Sequence, residues 1–408
     1  MPPDAARRPI YMDNHATTRV DPRVVEAMLP YFTEVYGNSG SINHSFGHEA
    51  LEAVDRARAS IAVNLGCGPR EIVFTSGATE SNNLAIKGLA ERSVKKGRHI
   101  VSVTTEHKSV LDPLARLVAR GYEVTLLDVE QAGSSTAGLL DPERLAAALR
   151  PDTILVSVMA ANNEIGAIQP IAAIGKVCRE RGVPLHCDAT QAVGKIAVDV
   201  REWNVDLMSF TAHKIYGPKG VGGLFVRRSS PAIRLTPQLD GGGQEHGFRS
   251  GTLNVPGIVA LARALELCVE EMPSVAARLA GLRAKLHRAI TAELDGVSLN
   301  GPAYDGTTAD DAAAVRRLSG NLNLSFDGVD GEALMLSMKL LAVSSGSACT
   351  SANPEPSHVL RALGISDDLT RASLRFGLGR FNTEADVEQA SELVVAAVRS
   401  LRKLGGTA

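Results

Sequence analysis

The sequence predicts an α/β protein: a large domain on a mostly parallel sheet, followed by a smaller α+β domain. Three observations carry this expectation. Short apolar runs alternate with amphipathic stretches between residues 71 and 226, the pattern of strands joined by crossover helices. Polar residues recur where the apolar runs stop, which in an open α/β sheet marks the ligand-binding rim. Past Val255 the alternation gives way to long helical patterns.

The first ten residues are polar and Pro-rich, with little to hold them. Asp21-Pro22 reads as an N-cap followed by proline at the first helical position. Residues 49–63 carry helical spacing that Pro69 interrupts, and EIVFT (71–75) is a strand leading into the helix of SGATESNNLAIKGLAE. RHIVSV, YEVTLLDV, TILVSVM and PLHCD are the next strands, separated by helices at 109–120, from Asp141-Pro142 to about Arg150, and at 171–181. Two apolar runs, 205–210 and 221–226, flank the turn holding His213, Lys214, Gly217 and Pro218. Residues 256–271 and 274–294 read as two helices separated by Met272-Pro273. Strands are expected at 321–326 and 341–345, and a closing helix at 384–401. The boundary is expected near Val255 to Gly257, giving a large domain of 15–256 and a small one of 257–408, with segment 1–14 packed on the small domain.

A chain of 408 residues with 44% hydrophobic and 22% charged residues has an ordinary globular composition. Its formal charge of −2 gives no footprint for nucleic acid or an anionic membrane. Five scattered cysteines (67, 178, 187, 268 and 349), with no CxxC pair, argue against a disulfide framework or structural zinc. No metal site is expected. The N-terminus has no apolar signal core and no run reaches spanning length, so a soluble cytoplasmic protein is expected.

The candidate chemistry sits at the strand ends: Thr75-Ser76-Gly77, Glu106-His107, Asn162-Asn163, Asp188 with Gln191, and Thr211 to Lys214. Lysine forms Schiff bases with carbonyl compounds, and Lys214 at a glycine-punctuated turn is both fixed and reachable; the competing reading is a surface lysine at a hairpin. Ser76-Gly77-Ala78-Thr79 opens a helix, where backbone N–H groups suit a phosphate; the alternative is an ordinary cap by Ser76. Asp188 ends an apolar strand, where a carboxylate needs a partner such as a protonated pyridine nitrogen or a structural cation. His107 is suited to stack on a ring or shuttle protons, though a structural histidine is the commoner case. Cys349 lies among small residues in SSGSACTSANPEPS, where a nucleophile would be accessible, the competing reading being an incidental loop thiol, whereas Cys187 is expected in the core. Arg375 sits between apolar residues and suits a carboxylate partner, the rival reading being a plain structural ion pair, and GGGQEHGFRSGT, ending at Thr252, would suit a second anion-binding turn.

YMDNHATT, EIVFTSGATESNNLAIKG, TTEHKSVLD, VMAANNEIG, CDATQAVGK, DLMSFTAHKIYGPKGVGGLFV, GGGQEHGFRSGT and SSGSACTSA occur in the order found in cysteine desulfurases. The chain therefore resembles that family, in the aminotransferase class V group of fold type I pyridoxal phosphate enzymes, over nearly its whole length. The long SSGSACTSA loop is similar to the housekeeping and nitrogen-fixation type. The resemblance implies pyridoxal 5′-phosphate as cofactor, with Lys214 as Schiff-base lysine and base, and Asp188 on the pyridine nitrogen. Gln191 would face the ring hydroxyl and His107 the ring face. Ala78, Thr79, Thr211 and His213 would cradle the phosphate, completed by Thr252 of a second subunit in a homodimer. Asn163 and Arg375 would hold cofactor and substrate carboxylate. L-cysteine would yield alanine and a persulfide on Cys349, which passes sulfur to an acceptor protein for iron–sulfur cluster or other sulfur-containing cofactor or tRNA synthesis; Cys349 would be able to touch a cluster during transfer.

Three features depart from that pattern. GNSGSINHSFG lacks the usual proline after Gly37-Asn38, residues 302–319 form an insertion, and the chain stops at Ala408, so a scaffold-docking tail is expected to be absent. The alternatives are a selenocysteine lyase, sulfinate desulfinase or aminotransferase, or a non-enzymatic sulfur-carrier relative; Lys214, Asp188 and His107 together argue against the last.

Overall fold

The structure is a computed structural model and describes residues 8–229, 231–304, 316–345 and 355–405. Cys349 and most of the 302–319 insertion lie outside the described residues.

The described residues form twelve strands: β1 (Ile10–Tyr11), β2 (Ile72–Thr75), β3 (His99–Val103), β4 (Glu123–Leu127), β5 (Thr153–Ser157), β6 (Leu185–Asp188), β7 (Leu207–Thr211), β8 (Gly222–Val226), β9 (Val297–Leu299), β10 (Asn321–Phe326), β11 (Leu341–Ala342) and β12 (Ser373–Gly377). Seven form one sheet in the order β2-β8-β7-β6-β5-β3-β4. All its pairings are parallel except those of β8, which runs antiparallel to β2 and β7. The reason is local: a short connection from β7 to β8 can only make a hairpin, whereas the parallel strands are joined by longer crossovers. The inner strands are buried throughout and so read as continuous apolar runs, whereas edge strand β4 is partly exposed.

Apolar layers cover both faces. One contains Val54, Ile61, Met208, Phe210 and Phe225. The other contains Leu84, Leu89, Ile100, Leu114 and Leu224. Glycines allow close approach beside the sheet's ligand-side rim. A Cβ at Gly222 would lie 2.6 Å from the Phe210 carbonyl and 2.7 Å from Gly77 Cα, and one at Gly223 would strike the Phe210 ring.

A separate core, with Leu286, Ile290, Leu324, Phe326, Phe376 and Val394, packs beneath the antiparallel sheet β12-β10-β9. Met12 belongs to it, and β1 pairs in parallel with β11. The two helices expected around Met272-Pro273 are instead one helix of 39 residues, Val255–Glu293, with Pro273 inside it. Proline removes one helical hydrogen bond, but the flanking turns are anchored in different cores, Leu261, Leu265 and Cys268 in the first and Leu279, Leu286 and Ile290 in the second. Tertiary packing on both sides outweighs the local break. The expected boundary at 255–257 falls on the first turn of this helix. The strand expected at 341–345 is only Leu341–Ala342, with Ser344 bridged to Arg375. Among the described residues no helix is long and apolar enough to cross a membrane.

Candidate active site

Strands β2, β6 and β7 run in one direction, so Thr75, Asp188 and Thr211 end on one rim. A single 3₁₀ turn, Ala212–Lys214, follows β7 and presents Lys214. Its Nζ donates to the carbonyls of His15 and Ala16, each at 2.6 Å. These bonds draw the N-terminal segment across the rim, a contact the sequence reading did not anticipate.

Asp188 is 4% exposed and accepts from Thr190 N at 2.9 Å and from Asn82 Nδ2 at 2.8 Å. The same Asn82 amide donates to Ser109 Oγ at 2.8 Å, which lies 2.8 Å from His107 Nδ1. A hydrogen-bonded chain thus ties Asp188 to His107. Ser109 N donates to His107 Nδ1 at 3.1 Å, so that nitrogen carries no proton and a neutral ring bears its proton on Nε2. Burial lowers the His107 pKa, with the Lys214 charge adding to the effect and the Asp188 charge opposing it. Behind it, Glu106 is fully buried, with Oε2 unpartnered among the described residues; burial and the Asp188 charge raise its carboxyl well above the ordinary range.

The anion cradle expected at 76–79 differs in one detail. Gly77, not Ser76, is the cap residue of the Ala78–Ser93 helix, and no side chain caps it. Ser76 N donates instead to Glu80 Oε2 at 2.8 Å. Gly77 adopts φ 153°, and a Cβ there would lie 3.7 Å from Thr211 Oγ1. The first turn, with Ala78 and Thr79, therefore faces Thr211 across a glycine. Thr211 is buried and donates to the Val221 carbonyl at 3.1 Å, and His213 Nδ1 sits 3.2 Å from Thr17 Oγ1. Burial and the neighbouring lysines push His213 down to about 4, so it is neutral.

Glu80 also holds Arg249, at 2.8 Å, which ties the 241–252 loop to this cradle. Glu245 in that loop has φ 50°, outside the usual range for its type. It is held there by two bonds from Arg58, at 2.6 and 2.9 Å, and one from Phe74 N at 2.7 Å. Thr252, at the end of the loop, is exposed. From the second sheet, Arg375 donates to Asp13 Oδ1 at 2.8 Å and to the Asn163 carbonyl at 3.3 Å, and its buried Nε has no partner among the described residues. Cys187 is in the core, as expected, its thiol pushed up by burial.

The structure thus brings Lys214, Asp188, His107, Gln191, Thr211 and the start of the Ala78–Ser93 helix to one rim, with Arg375 and Asn163 joined beside it. A pyridoxal phosphate fits this donor set: an uncapped helix N-terminus for the phosphate, a buried carboxylate for the ring nitrogen and a fixed amine for the aldehyde. His15, Asn82, Ser109 and Asp13 were not singled out from the sequence. The first lay in a segment read only for its resemblance, and the others gained their place through contacts distant in the chain. For Asn82 a signal existed: it lies one turn past Ala78, on the helix that carries the cradle.

The aminotransferase class V family matches residues 10–390. The chain belongs to that family. Its relatives lie among the cysteine desulfurases: cysteine desulfurase IscS of Anaeromyxobacter dehalogenans (strain 2CP-C) is 55% identical over 396 residues, 97% of this chain and 94% of the relative. IscS of Glaesserella parasuis serovar 5 is 52% identical over 398 residues, again 97% and 94%. Among solved structures, a NifS-like protein superposes with a TM-score of 0.85 at 37% identity, covering 96% of this chain and all (100%) of its own. SspA in complex with cysteine gives a TM-score of 0.77 at 35% identity, covering 91% and 99%. The α/β class expected from the sequence is that of these neighbours.

Proposed function

We propose that this protein is a cysteine desulfurase that uses pyridoxal 5′-phosphate to convert L-cysteine to alanine and a persulfide on Cys349. The observation that carries this reading is the meeting of Lys214, Asp188 and His107 on one rim, in a chain whose full-length relatives are cysteine desulfurases. A neighbour solved with cysteine supports the substrate.

Bound pyridoxal phosphate supplies an electron sink that weakens bonds at the substrate α-carbon. The chain's own residues do the rest. Lys214 Nζ, steadied by the His15 and Ala16 carbonyls, would hold the aldehyde and then move the α-proton. Asp188, its two oxygens already oriented by Asn82 and Thr190, would hold the pyridine nitrogen protonated. His107 would lie on the ring face and Gln191 at the ring hydroxyl. Ala78, Thr79, Thr211 and His213 would hold the phosphate. Asn163 and Arg375 would orient the substrate carboxylate, for which the Arg375 Nε, unpartnered among the described residues, is an available donor. The thiolate of Cys349 then attacks the substrate sulfur: an S–S bond forms as the C–S bond breaks, leaving the persulfide.

In this reading, 15–256 form the large cofactor-binding domain and 257–408 the small one. Thr252 completes the cradle of a second subunit in a homodimer, an assignment supported by its exposure. The persulfide serves a sulfur-acceptor protein in iron–sulfur cluster or related synthesis, in the cytoplasm. Mass spectrometry after L-cysteine treatment tests the reading: one extra sulfur on Cys349, with alanine formed in step, is expected. A keto acid product without that mass gain would refute it.

A further inference from the structure

Beside the rim lies a hydrogen-bonded set in which one member, Lys195, has no part in the proposed chemistry. Lys195 Nζ donates to Gln191 Oε1 at 2.5 Å. Gln191 Nε2 donates to the His15 carbonyl at 2.9 Å, and Gln191 Oε1 lies 3.1 Å from His15 Nδ1. That His15 carbonyl also accepts from Lys214 Nζ at 2.6 Å. Gln191 and His15 are each 3% exposed, and His15 Nε2 has no hydrogen-bond partner among the described residues. Lys195 and His15 line a cavity of about 50 Å³ that also touches Asn14, Thr18 and Arg380.

The local chain geometry builds this arrangement. Two successive turns follow β6, closed by Val193 N on the Ala189 carbonyl and Ile196 N on the Ala192 carbonyl, and they bring Lys195 back to Gln191. Gly194 between them has φ 72°, and a Cβ there would lie 2.8 Å from Ile215 Cγ2 and 3.0 Å from Cys268 Cβ. Only glycine allows the turn to press this closely on its neighbours.

The donor rules then fix each group in sequence. An ammonium donates and never accepts. Set against Gln191, it leaves the amide one orientation, with oxygen toward Lys195 and nitrogen toward the His15 carbonyl. That oxygen can take its second bond only from a protonated His15 Nδ1. His15 Nε2 then keeps a lone pair, and one N–H of Gln191 remains uncommitted. Burial and the charges of Lys195, Arg375 and Lys214 lower the His15 pKa well below its ordinary value, so the ring is neutral and has a definite tautomer. Burial and the charges of Lys214 and Arg375, opposed by Cys268, push Lys195 down to about 7, so the ammonium prevails below neutral pH.

We infer that Lys195 is a positioning residue: it locks the Gln191 amide and, through it, the Nδ1–H tautomer of His15, so that Gln191 keeps an N–H for the ring hydroxyl. Only this last clause rests on the proposed function.

The test is nitrogen-15 histidine NMR on the full chain as purified, with its cofactor, at pH 6. The His15 signal is assigned by its loss in His15→Asn. The wild type is expected to show a protonated Nδ1 and a bare Nε2. Lys195→Met, which cannot donate, is expected to shift His15 to a mixture or to the Nε2–H form. Lys195→Arg, another obligate donor, is expected to restore the first pattern. The pH midpoint of the visible absorption should move in Lys195→Met and return in Lys195→Arg. A His15 tautomer unchanged in Lys195→Met would overturn the inference. Should that variant not fold, Lys195→Leu, which likewise cannot donate, gives the same readout. A tautomer change in protein carrying no visible chromophore would uphold this inference and sink the cofactor reading, so the two failures are distinguishable.

Discussion

Arg375 and Asp13 are joined at 2.8 Å, and the arginine side chain of the pair is 3% exposed. This bond ties β12 to the segment that crosses the rim at His15. Among the described residues only part of the guanidinium is committed, since Nε meets no partner there and the bond to the Asn163 carbonyl is long, at 3.3 Å. Arg375→Lys keeps the charge but removes the planar fork. The loss of a charged hydrogen bond costs about 1.5–3 kcal/mol, so kcat/KM for L-cysteine is expected to fall roughly ten- to hundred-fold, chiefly through KM. Cofactor content should not change. Steady-state kinetics with an absorption spectrum checks both.

Asp188 meets donors on both oxygens, Thr190 N and Asn82 Nδ2. Asp188→Asn would turn an amide nitrogen toward one of them and remove the negative charge. A drop in kcat of roughly ten- to hundred-fold is expected, corresponding to about 1.5–3 kcal/mol. Retention of full activity would contradict the role given to this carboxylate.

Glu164 supplies a pH prediction. Burial raises its carboxyl from the ordinary 4.5 to about 7, against the opposing Ser357 bond and the Arg375 and Lys108 charges. The native state therefore keeps a proton that the unfolded chain releases. This contribution to stability is whole below about pH 4.5 and is lost as pH rises to about 7. Glu164→Gln should abolish that part of the slope, roughly 3 kcal/mol across the window. Denaturant titrations of both proteins at pH 5, 6, 7 and 8 measure it.

Gly222→Ala forces a methyl group to within 2.6 Å of the Phe210 carbonyl and 2.7 Å of Gly77 Cα. Backbone must shift, so destabilisation of about 1–3 kcal/mol is expected. Because Gly77 opens the phosphate cradle, cofactor retention after dialysis should fall as well. Gly281, in a helix with nothing within 4 Å of its Cβ position, is the control. Gly281→Ala should be neutral or stabilise by roughly 0.5–1 kcal/mol.

Cys349→Ser should keep the cofactor and abolish sulfide release. Measuring sulfide together with the absorption spectrum separates this outcome from simple misfolding; continued release would remove Cys349 from the scheme.

The fold was legible wherever burial imposed a plain pattern. β3, β5, β6 and β7 are apolar because both faces are covered, and the strand-end positions of Asp188 and Thr211 followed directly. The break assigned at Met272-Pro273 failed because local propensity was judged without knowing that two cores grip the same helix. The supports of the site were hidden for a different reason. Asn82 lies 106 residues from Asp188, and the partner of His15 is 176 residues away. No spacing rule spans such separations; they are set by sheet order, which brings β2 and its following helix back over β6.

The uninterrupted helix from Val255 to Glu293 makes the two halves of the polypeptide poor candidates for separation. A fragment cut at residue 256 would lack Ile258, Leu261 and Leu265, and the apolar surface they cover would meet water. Such a truncation would be expected in inclusion bodies, whereas a cut beyond Cys268 would preserve that surface's lining. Anyone grafting or shortening this scaffold should therefore treat the helix as shared property of both cores and place the junction past its midpoint.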